Sequence, residues 1–402
     1  MKLRIEKAIY GGDGLARGDD GKTVFVPGTL PGELVEATVL EDKRSYAQSR
    51  LDSILEPAAE RIAPPCEHVP LCGGCHYQHA GYQYQLQMKL DILRETLSRA
   101  RLQVPADIGV LSGAPWGYRN RIRLHTMKSA LAYRQRGSNH LLPVSHCPIA
   151  APLLQEAIPL IASSGVDQLC DEVELFTNGE QLLLNLIPGP HKRSSQLNSV
   201  CAQLQAQIPA LTGAGLAGET WGESFVTYTI AECSYRVSLG SFFQVNRFLV
   251  PDLLNLVIAW AGSGKVAWDL YSGVGLFAKA LAYDNVTAVE SSASSAGDLQ
   301  HNLAGTGHRI VRSGTHEFLR KAVKEKPDLV LIDPPRAGMG KETCALLAGV
   351  GPASIAYISC DPATLARDLQ LLSPGYFIEA MHMIDLFPQT FHLETVTFLK
   401  RN

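Results

Sequence analysis

Over the first 57 residues, apolar and polar positions alternate in short runs: LRIEKAIY, TVFVPG, ELVEATVLE and YAQSRLDSIL. Glycine, proline and aspartate separate them. Period-two alternation between turn residues predicts short strands closing into a small β-barrel. The glycine-rich stretch RIEKAIYGGDGLAR fits a tight corner at its start. An accessory β domain and an RNA-binding one are equally open on this pattern, because such barrels host many functions. A proline-marked junction, EPAAERIAPPC, follows. Residues 81–100 then place Leu86, Leu90, Leu93 and Leu97 at helical spacing, which predicts an amphipathic helix.

Between about 108 and 240 the runs RIRLH, SALAYRQ, VELFTN, QLLLNLI and SFVTYTI read as strands with few long helices between them. An α+β central domain is expected there. From about 241 the pattern changes to short apolar strands, VAWDLY, VTAVE, HRIVRS, DLVLID and IAYISC, each followed by a helical stretch. That alternation predicts a doubly wound parallel α/β sheet. The expected organisation is therefore a barrel at 1–57, a central domain at 58–240 and an α/β domain at 241–402.

Composition narrows the class. The chain has 402 residues, 36 basic and 39 acidic, with a formal charge of -3. Hydrophobic residues make up 46% and charged residues 19%, a folded composition rather than a disordered one. The balance excludes a protein that is basic throughout. No run approaches the ~20 apolar residues of a membrane span, and MKLRIEKAIYGG lacks the apolar core of a signal peptide. A cytoplasmic protein without membrane association is expected. Nothing in the sequence marks an obligatory protein partner.

Nine cysteines without a secretion signal point to metal binding or catalysis rather than a disulfide framework. Cys66, Cys72 and Cys75 crowd one loop, and Cys147 stands before a proline. Four thiolates suit zinc or an iron–sulfur centre, and the spacing alone does not choose between them. Cys170, Cys201, Cys233 and Cys344 are scattered and read as small buried apolar residues.

Ligands of a doubly wound sheet gather outside the carboxyl ends of its strands. Asp269, Glu290, Asp333 and Cys360 all fall at or next to such ends. In WDLYSGVGLFA, the turn Gly273-x-Gly275 lets backbone approach a ligand, and Glu290, about twenty residues on, can bind two ribose hydroxyls. The third glycine of a dinucleotide site is missing. S-adenosylmethionine, with a ribose but no pyrophosphate, suits the turn better; a tight turn without a ligand is the plain alternative. In DLVLIDPPRAGMG, Asp333 precedes two prolines, and Arg336 can neutralise a phosphate or carboxylate. Cys360 follows a strand near the start of a helix, where a thiol pKa falls. A lone cysteine there would more often be buried and inert, but Asp333 and Cys360 end successive strands. Glu394, in FPQTFHLETVTFL, is either a half-exposed strand position or a general base.

From Ile108 through Gln155 there is no acidic residue, while Arg119, Arg121, Arg123, Lys128, Arg134 and Arg136 are basic. Alternation in RNRIRLH directs Arg119, Arg121 and Arg123 to one strand face, with Tyr118 and Tyr133 nearby. Phosphate contact with base stacking fits this stretch better than a solvated face.

Together DLYSGVG, DPPRAG, SCDPATLARDL and FPQTFHLETV resemble, in order, the motifs of the RNA 5-methyluridine methyltransferase family, and FFQVN at 242–246 looks like its cofactor-contacting segment. The resemblance implies a Rossmann-like class I methyltransferase domain. It also implies Cys360 as nucleophile, Glu394 as general base, and S-adenosylmethionine held by Gln244, Tyr271, Glu290 and Asp333. It extends over nearly the whole chain. The barrel resembles a TRAM domain, an OB-like RNA-binding module, and Cys66, Cys72, Cys75 and Cys147 match the ligands of the family's [4Fe–4S] cluster. Asp361 departs from the family's asparagine, and Gly314 and Thr315 stand where many members carry an adenine-contacting acidic or amide residue.

The expected activity is methyl transfer to carbon 5 of a uridine in RNA. The favoured substrate is 23S ribosomal RNA, since the resembling tRNA enzymes usually lack both barrel and cysteine cluster. The rival readings are a tRNA methyltransferase, a noncatalytic iron–sulfur RNA-binding protein and a small-molecule methyltransferase. Intact Cys360 and Glu394 argue against the second, and the barrel and arginine stretch against the third.

Overall fold

The alternation of the first 56 residues resolves into five strands, Lys2–Ala8, Asp13–Arg17, Thr23–Pro27, Leu34–Asp42 and Tyr46–Glu56. They form a closed barrel, with the last two exchanged in spatial order. One face of each strand supplies its core: Leu3, Ile5, Ala16, Val24, Val26, Val35, Ala37 and Ala47 are all buried together. Gly11 and Gly12, with φ of 113° and 95°, make the corner between the first two strands.

The computed structural model describes residues 1–189, 196–322 and 325–402. Two compact units share the chain: Met1–Thr96, Tyr133–Leu142 and Phe387–Leu393 form one, and Leu97–Ala132, Pro143–Leu386 and Glu394–Asn402 the other. Within the first, a second core gathers Ala8, Leu30, Tyr77, Ala80, Met88 and Ile92. The helix expected at 81–100 runs Tyr82–Arg99, with Leu86, Leu93 and Leu97 buried and Leu90 half-buried. Among the described residues, no helix is long and apolar enough to cross a membrane.

The second unit holds a mixed sheet through Arg121–Met127, Glu172–Thr177, Leu182–Ile187, Leu211–Leu216 and Glu219–Gly222. Helices Pro152–Ala162 and Leu197–Gln207 and the hairpin Phe225–Ile230/Cys233–Ser238 accompany it.

The sheet that organises the chemistry has eight strands. In spatial order they are Arg309–Arg312, Ala282–Glu290, Ser263–Leu270, Leu329–Ile332, Ser354–Ser359, Glu394–Arg401, Tyr376–Ile384 and Gly109–Leu111. The first five run parallel; Glu394–Arg401 is antiparallel to both of its neighbours. Chain order reverses between Ser263–Leu270 and Leu329–Ile332, the switch point where such sheets bind ligands. The antiparallel strand has a second consequence: its beginning, Glu394, lies at the edge where its parallel neighbours end.

One expected helix is absent. After Ser263–Leu270, residues 273–280 run as consecutive turns. Tyr271, Gly273 and Gly275 all have positive φ, 61°, 56° and 89°, and the Ala278 amide donates to the Asp269 carboxylate at 3.0 Å rather than into a helical ladder. The next strand, Ala282–Glu290, then begins.

Candidate active site

Three turns at one sheet edge form the cofactor side. Asp269, fully buried, accepts from the Ser272 hydroxyl at 2.8 Å and the Ala278 amide at 3.0 Å through one oxygen. Its other oxygen is buried without a hydrogen-bond partner. Burial, aided by Glu290, pushes this carboxyl up to about 7. Glu290 accepts from the amides of Gly273 at 2.9 Å, Ser291 at 2.7 Å and Ser292 at 2.6 Å. These bonds fix its carboxylate across the mouth of the turn. A Cβ on Gly273 would meet nothing within 4 Å. Tyr271 is hydrogen-bonded to Thr315, so the Gly314–Thr315 position joins this side of the site. An orphaned buried carboxylate oxygen, a fixed second carboxylate and open space over a glycine fit a ribose-bearing cationic ligand.

Gln244 connects this side to the nucleophile. It is buried, and its side-chain amide donates to Asp333 at 3.5 Å. Asp333 ends Leu329–Ile332, and burial together with Asp269 pushes it up to about 7. Cys360 follows Ser354–Ser359, and Glu394 opens its antiparallel partner. Ser359 pairs with Thr395, so Cys360 and Glu394 take the next step of the register. Glu394 is buried, which with Asp333 raises its carboxyl well above the carboxylate range, while Arg336 opposes.

The helix-start argument for an acidic thiol fails at Cys360. Burial raises it to about 12, and Glu394, Asp333 and Asp361 add to this against Arg336 alone. Burial comes first among these causes, with the three carboxyl groups after it.

The loop after Asp333 is pinned from the helix Pro362–Leu372. Thr364 Oγ1 donates to the Arg336 carbonyl at 3.0 Å, and Arg367 Nη2 to the Ala337 carbonyl at 2.8 Å. Fully buried Asp368 accepts from the Met339 amide and the Tyr357 hydroxyl, both at 2.7 Å. The segment that carries the cysteine thus sets the height of the loop that carries Arg336.

Asn246 and Asp368 were not singled out from sequence, whereas Asp269 was placed at the ligand edge without a role. Asn246 is fully buried, accepts from the Phe248 and Leu249 amides and donates to the Leu386 carbonyl at 3.2 Å. Its place in FFQVN was the available signal.

The arginine stretch keeps its alternation, with Ile122 and Leu124 buried on the face opposite Arg121 and exposed Arg123. Arg121 lies over the Phe176 ring, 3.8 Å from its centroid, and donates to the Ser241 carbonyl at 2.6 Å. Arg119 donates to the Arg121 carbonyl at 3.0 Å, and exposed Arg123 pairs with Glu172. Arg121 is a packing residue of this unit.

Cys66, Cys72 and Cys75 lie in the first unit and Cys147 in the second. No disulfide joins any of the nine cysteines. The Gly74 amide donates to Cys72 Sγ at 3.4 Å, and Arg136 donates to the Cys75 carbonyl at 2.9 Å. Thiol chemistry suits a metal centre, yet among the described residues no three His, Cys, Asp or Glu side chains are gathered to hold an ion.

The tRNA (uracil-5-)-methyltransferase family model matches residues 225–402, and the TRAM domain model residues 1–51. A 23S rRNA (uracil(1939)-C(5))-methyltransferase RlmD of Shewanella amazonensis is 32% identical, over 98% of this chain and 94% of its own. The chain belongs to the RNA uracil-5-methyltransferase family. An RlmD of Chromohalobacter salexigens is 31% identical over 100% of this chain and 89% of its own. The Pyrococcus abyssi tRNA (uracil-54, C5)-methyltransferase, solved with S-adenosyl-L-homocysteine, shares the fold with a TM-score of 0.79 at 22% identity, covering 99% of this chain and 100% of that one. The chain is thus an S-adenosylmethionine-dependent RNA uracil-5-methyltransferase with an N-terminal TRAM barrel, as its motifs had implied.

Proposed function

We propose that this enzyme methylates a uridine of 23S ribosomal RNA in the cytoplasm, with Cys360 as nucleophile and Glu394 as base. The register that makes Cys360 and Glu394 successors of the Ser359–Thr395 pair carries the assignment of roles. The near-full-length likeness to the RlmD enzymes supports the choice of RNA.

Carbon 5 of uracil is a weak nucleophile. With its proton released to water, Cys360 Sγ adds as a thiolate to carbon 6 of a uridine flipped from its RNA, and the resulting enolate makes carbon 5 nucleophilic. Bound S-adenosylmethionine supplies an electrophilic methyl group on a cationic sulfonium. A cationic ligand held by Asp333 would favour the ionised forms of Cys360 and Glu394, opposing the burial and neighbouring carboxyls that raise both. Carbon 5 takes the methyl group and S-adenosylhomocysteine departs. Glu394 removes the carbon-5 proton, and the bond from Sγ to carbon 6 breaks. Gln244, Tyr271, Glu290 and Asp333 hold the cofactor; Asp269 supports the turn beneath it.

The division into barrel at 1–57, central domain at 58–240 and methyltransferase domain at 241–402 belongs to this reading, the barrel gripping RNA. So does a [4Fe–4S] cluster on Cys66, Cys72, Cys75 and Cys147, supported by their match to the family's cluster ligands and by thiol chemistry, with no part in methyl transfer. Protein purified without oxygen should be brown and contain iron and sulfide; a colourless zinc protein would exclude the cluster. For the substrate, 5-methyluridine should vanish from one site or more of 23S rRNA, and not from tRNA, in cells lacking the gene. The opposite pattern would move the activity to tRNA.

A further inference from the structure

The residue after the nucleophile makes two kinds of bond at once. Asp361 is the N-cap of Pro362–Leu372, with φ -138° and ψ 115°. One carboxylate oxygen accepts from the Ala363 amide at 3.0 Å and the Thr364 amide at 2.9 Å. Its own amide donates to Ser359 Oγ at 3.3 Å, and its carbonyl accepts from Ser359 Oγ at 3.1 Å and Thr364 Oγ1 at 3.3 Å. These bonds bracket Cys360 on both sides along the chain.

A neutral asparagine would satisfy the same two helix amides. A carboxylate adds a full negative charge where the helix end offers about half a positive one. It therefore cancels the local field that would otherwise favour a thiolate. The other charged groups facing Cys360 are Glu394 on the paired strand, and Asp333 and Arg336 on the loop after Leu329–Ile332. Only Arg336 favours ionisation.

Resting on the reading of Cys360 as nucleophile, we propose that Asp361 is a positioning residue that caps the helix and keeps Cys360 a dormant thiol until RNA and cofactor fill the site. Dormancy protects an otherwise reactive cysteine from oxidants and stray electrophiles between turnovers.

The test uses the full chain without RNA or cofactor. Iodoacetamide labelling of Cys360 is followed by mass spectrometry of its peptide from pH about 6 to about 9, with the other cysteines as internal controls. Asp361→Asn and Asp361→Ser both keep a cap acceptor and lose the charge. Each pKa unit lost raises the thiolate fraction about tenfold and lowers its intrinsic nucleophilicity about threefold, a net gain of about threefold. Both variants should label Cys360 faster at every pH, by up to about threefold, with the other cysteines unchanged. Rates equal to wild type in whichever variant folds normally would overturn the proposal. Methylation by Cys360→Ala is scored separately: activity there would defeat the nucleophile assignment and leave the labelling result standing.

Discussion

Cys360 and Glu394 stand directly beyond the paired residues Ser359 and Thr395, one at the end of a strand and the other at the beginning of its antiparallel neighbour. A nucleophile and a base meet at one edge because a single strand of the sheet is reversed. Were Glu394–Arg401 parallel, the glutamate would start at the opposite edge.

The cofactor turn separates two glycines by what a methyl group would meet. At Gly275, a Cβ would come within 2.7 Å of Leu299 Cδ1 at φ 89°; at Gly273, φ is 56° and nothing lies within 4 Å. Gly275→Ala should cost more than the ~1–2 kcal/mol of a left-handed alanine and lower the unfolding midpoint. Gly273→Ala should cost about that backbone amount alone while weakening S-adenosylmethionine binding, as read by calorimetry.

Asp269 gives a pH signature. Its folded-state pKa of about 7 lies above the ordinary value of 3.8, so folding takes up a proton between the two. This contribution is fully present below pH ~4 and is lost as pH rises through about 7. Asn in its place keeps an acceptor for Ser272 and Ala278 and cannot ionise. Relative to Asp269→Asn, wild type should therefore lose unfolding temperature as pH is raised from ~4 to ~7. Parallel melting curves across that window would refute the assignment.

Arg121 should act as a structural residue. Arg121→Ala removes both the stacking on Phe176 and the bond to Ser241, and should destabilise by about 1–3 kcal/mol in denaturant unfolding. Arg123→Ala, losing an exposed pair with Glu172, should change stability by less than about 1 kcal/mol. In salt titrations of RNA binding, Arg123→Ala should flatten the slope if that face meets phosphate.

Much of this was legible in the chain. Alternation gave the barrel strands, and apolar runs gave the parallel strands with Asp333 and Cys360 at their ends. Strand order was not legible, because the insertion of Glu394–Arg401 between Ser354–Ser359 and Tyr376–Ile384 is a long-range pairing with no local pattern. The expected helix after Leu270 gave way to turns because three positive-φ residues at alternate positions, Tyr271, Gly273 and Gly275, and a side-chain acceptor compete with its ladder. RNRIRLH placed Arg121 on the right strand, but its ring partner lies 55 positions away in Phe176. At Cys360 the helix end was visible in sequence, whereas the carboxyls that oppose it come together only through folding.

Covalent catalysis is tested most directly by trapping the enzyme on its RNA. Glu394→Gln, incubated with 23S rRNA and S-adenosylmethionine, should methylate once and stall, leaving a protein–RNA adduct that survives a denaturing gel. Cys360→Ala combined with Glu394→Gln should give none. An adduct that persists in the double variant, or methylation by Cys360→Ala alone, would contradict the mechanism.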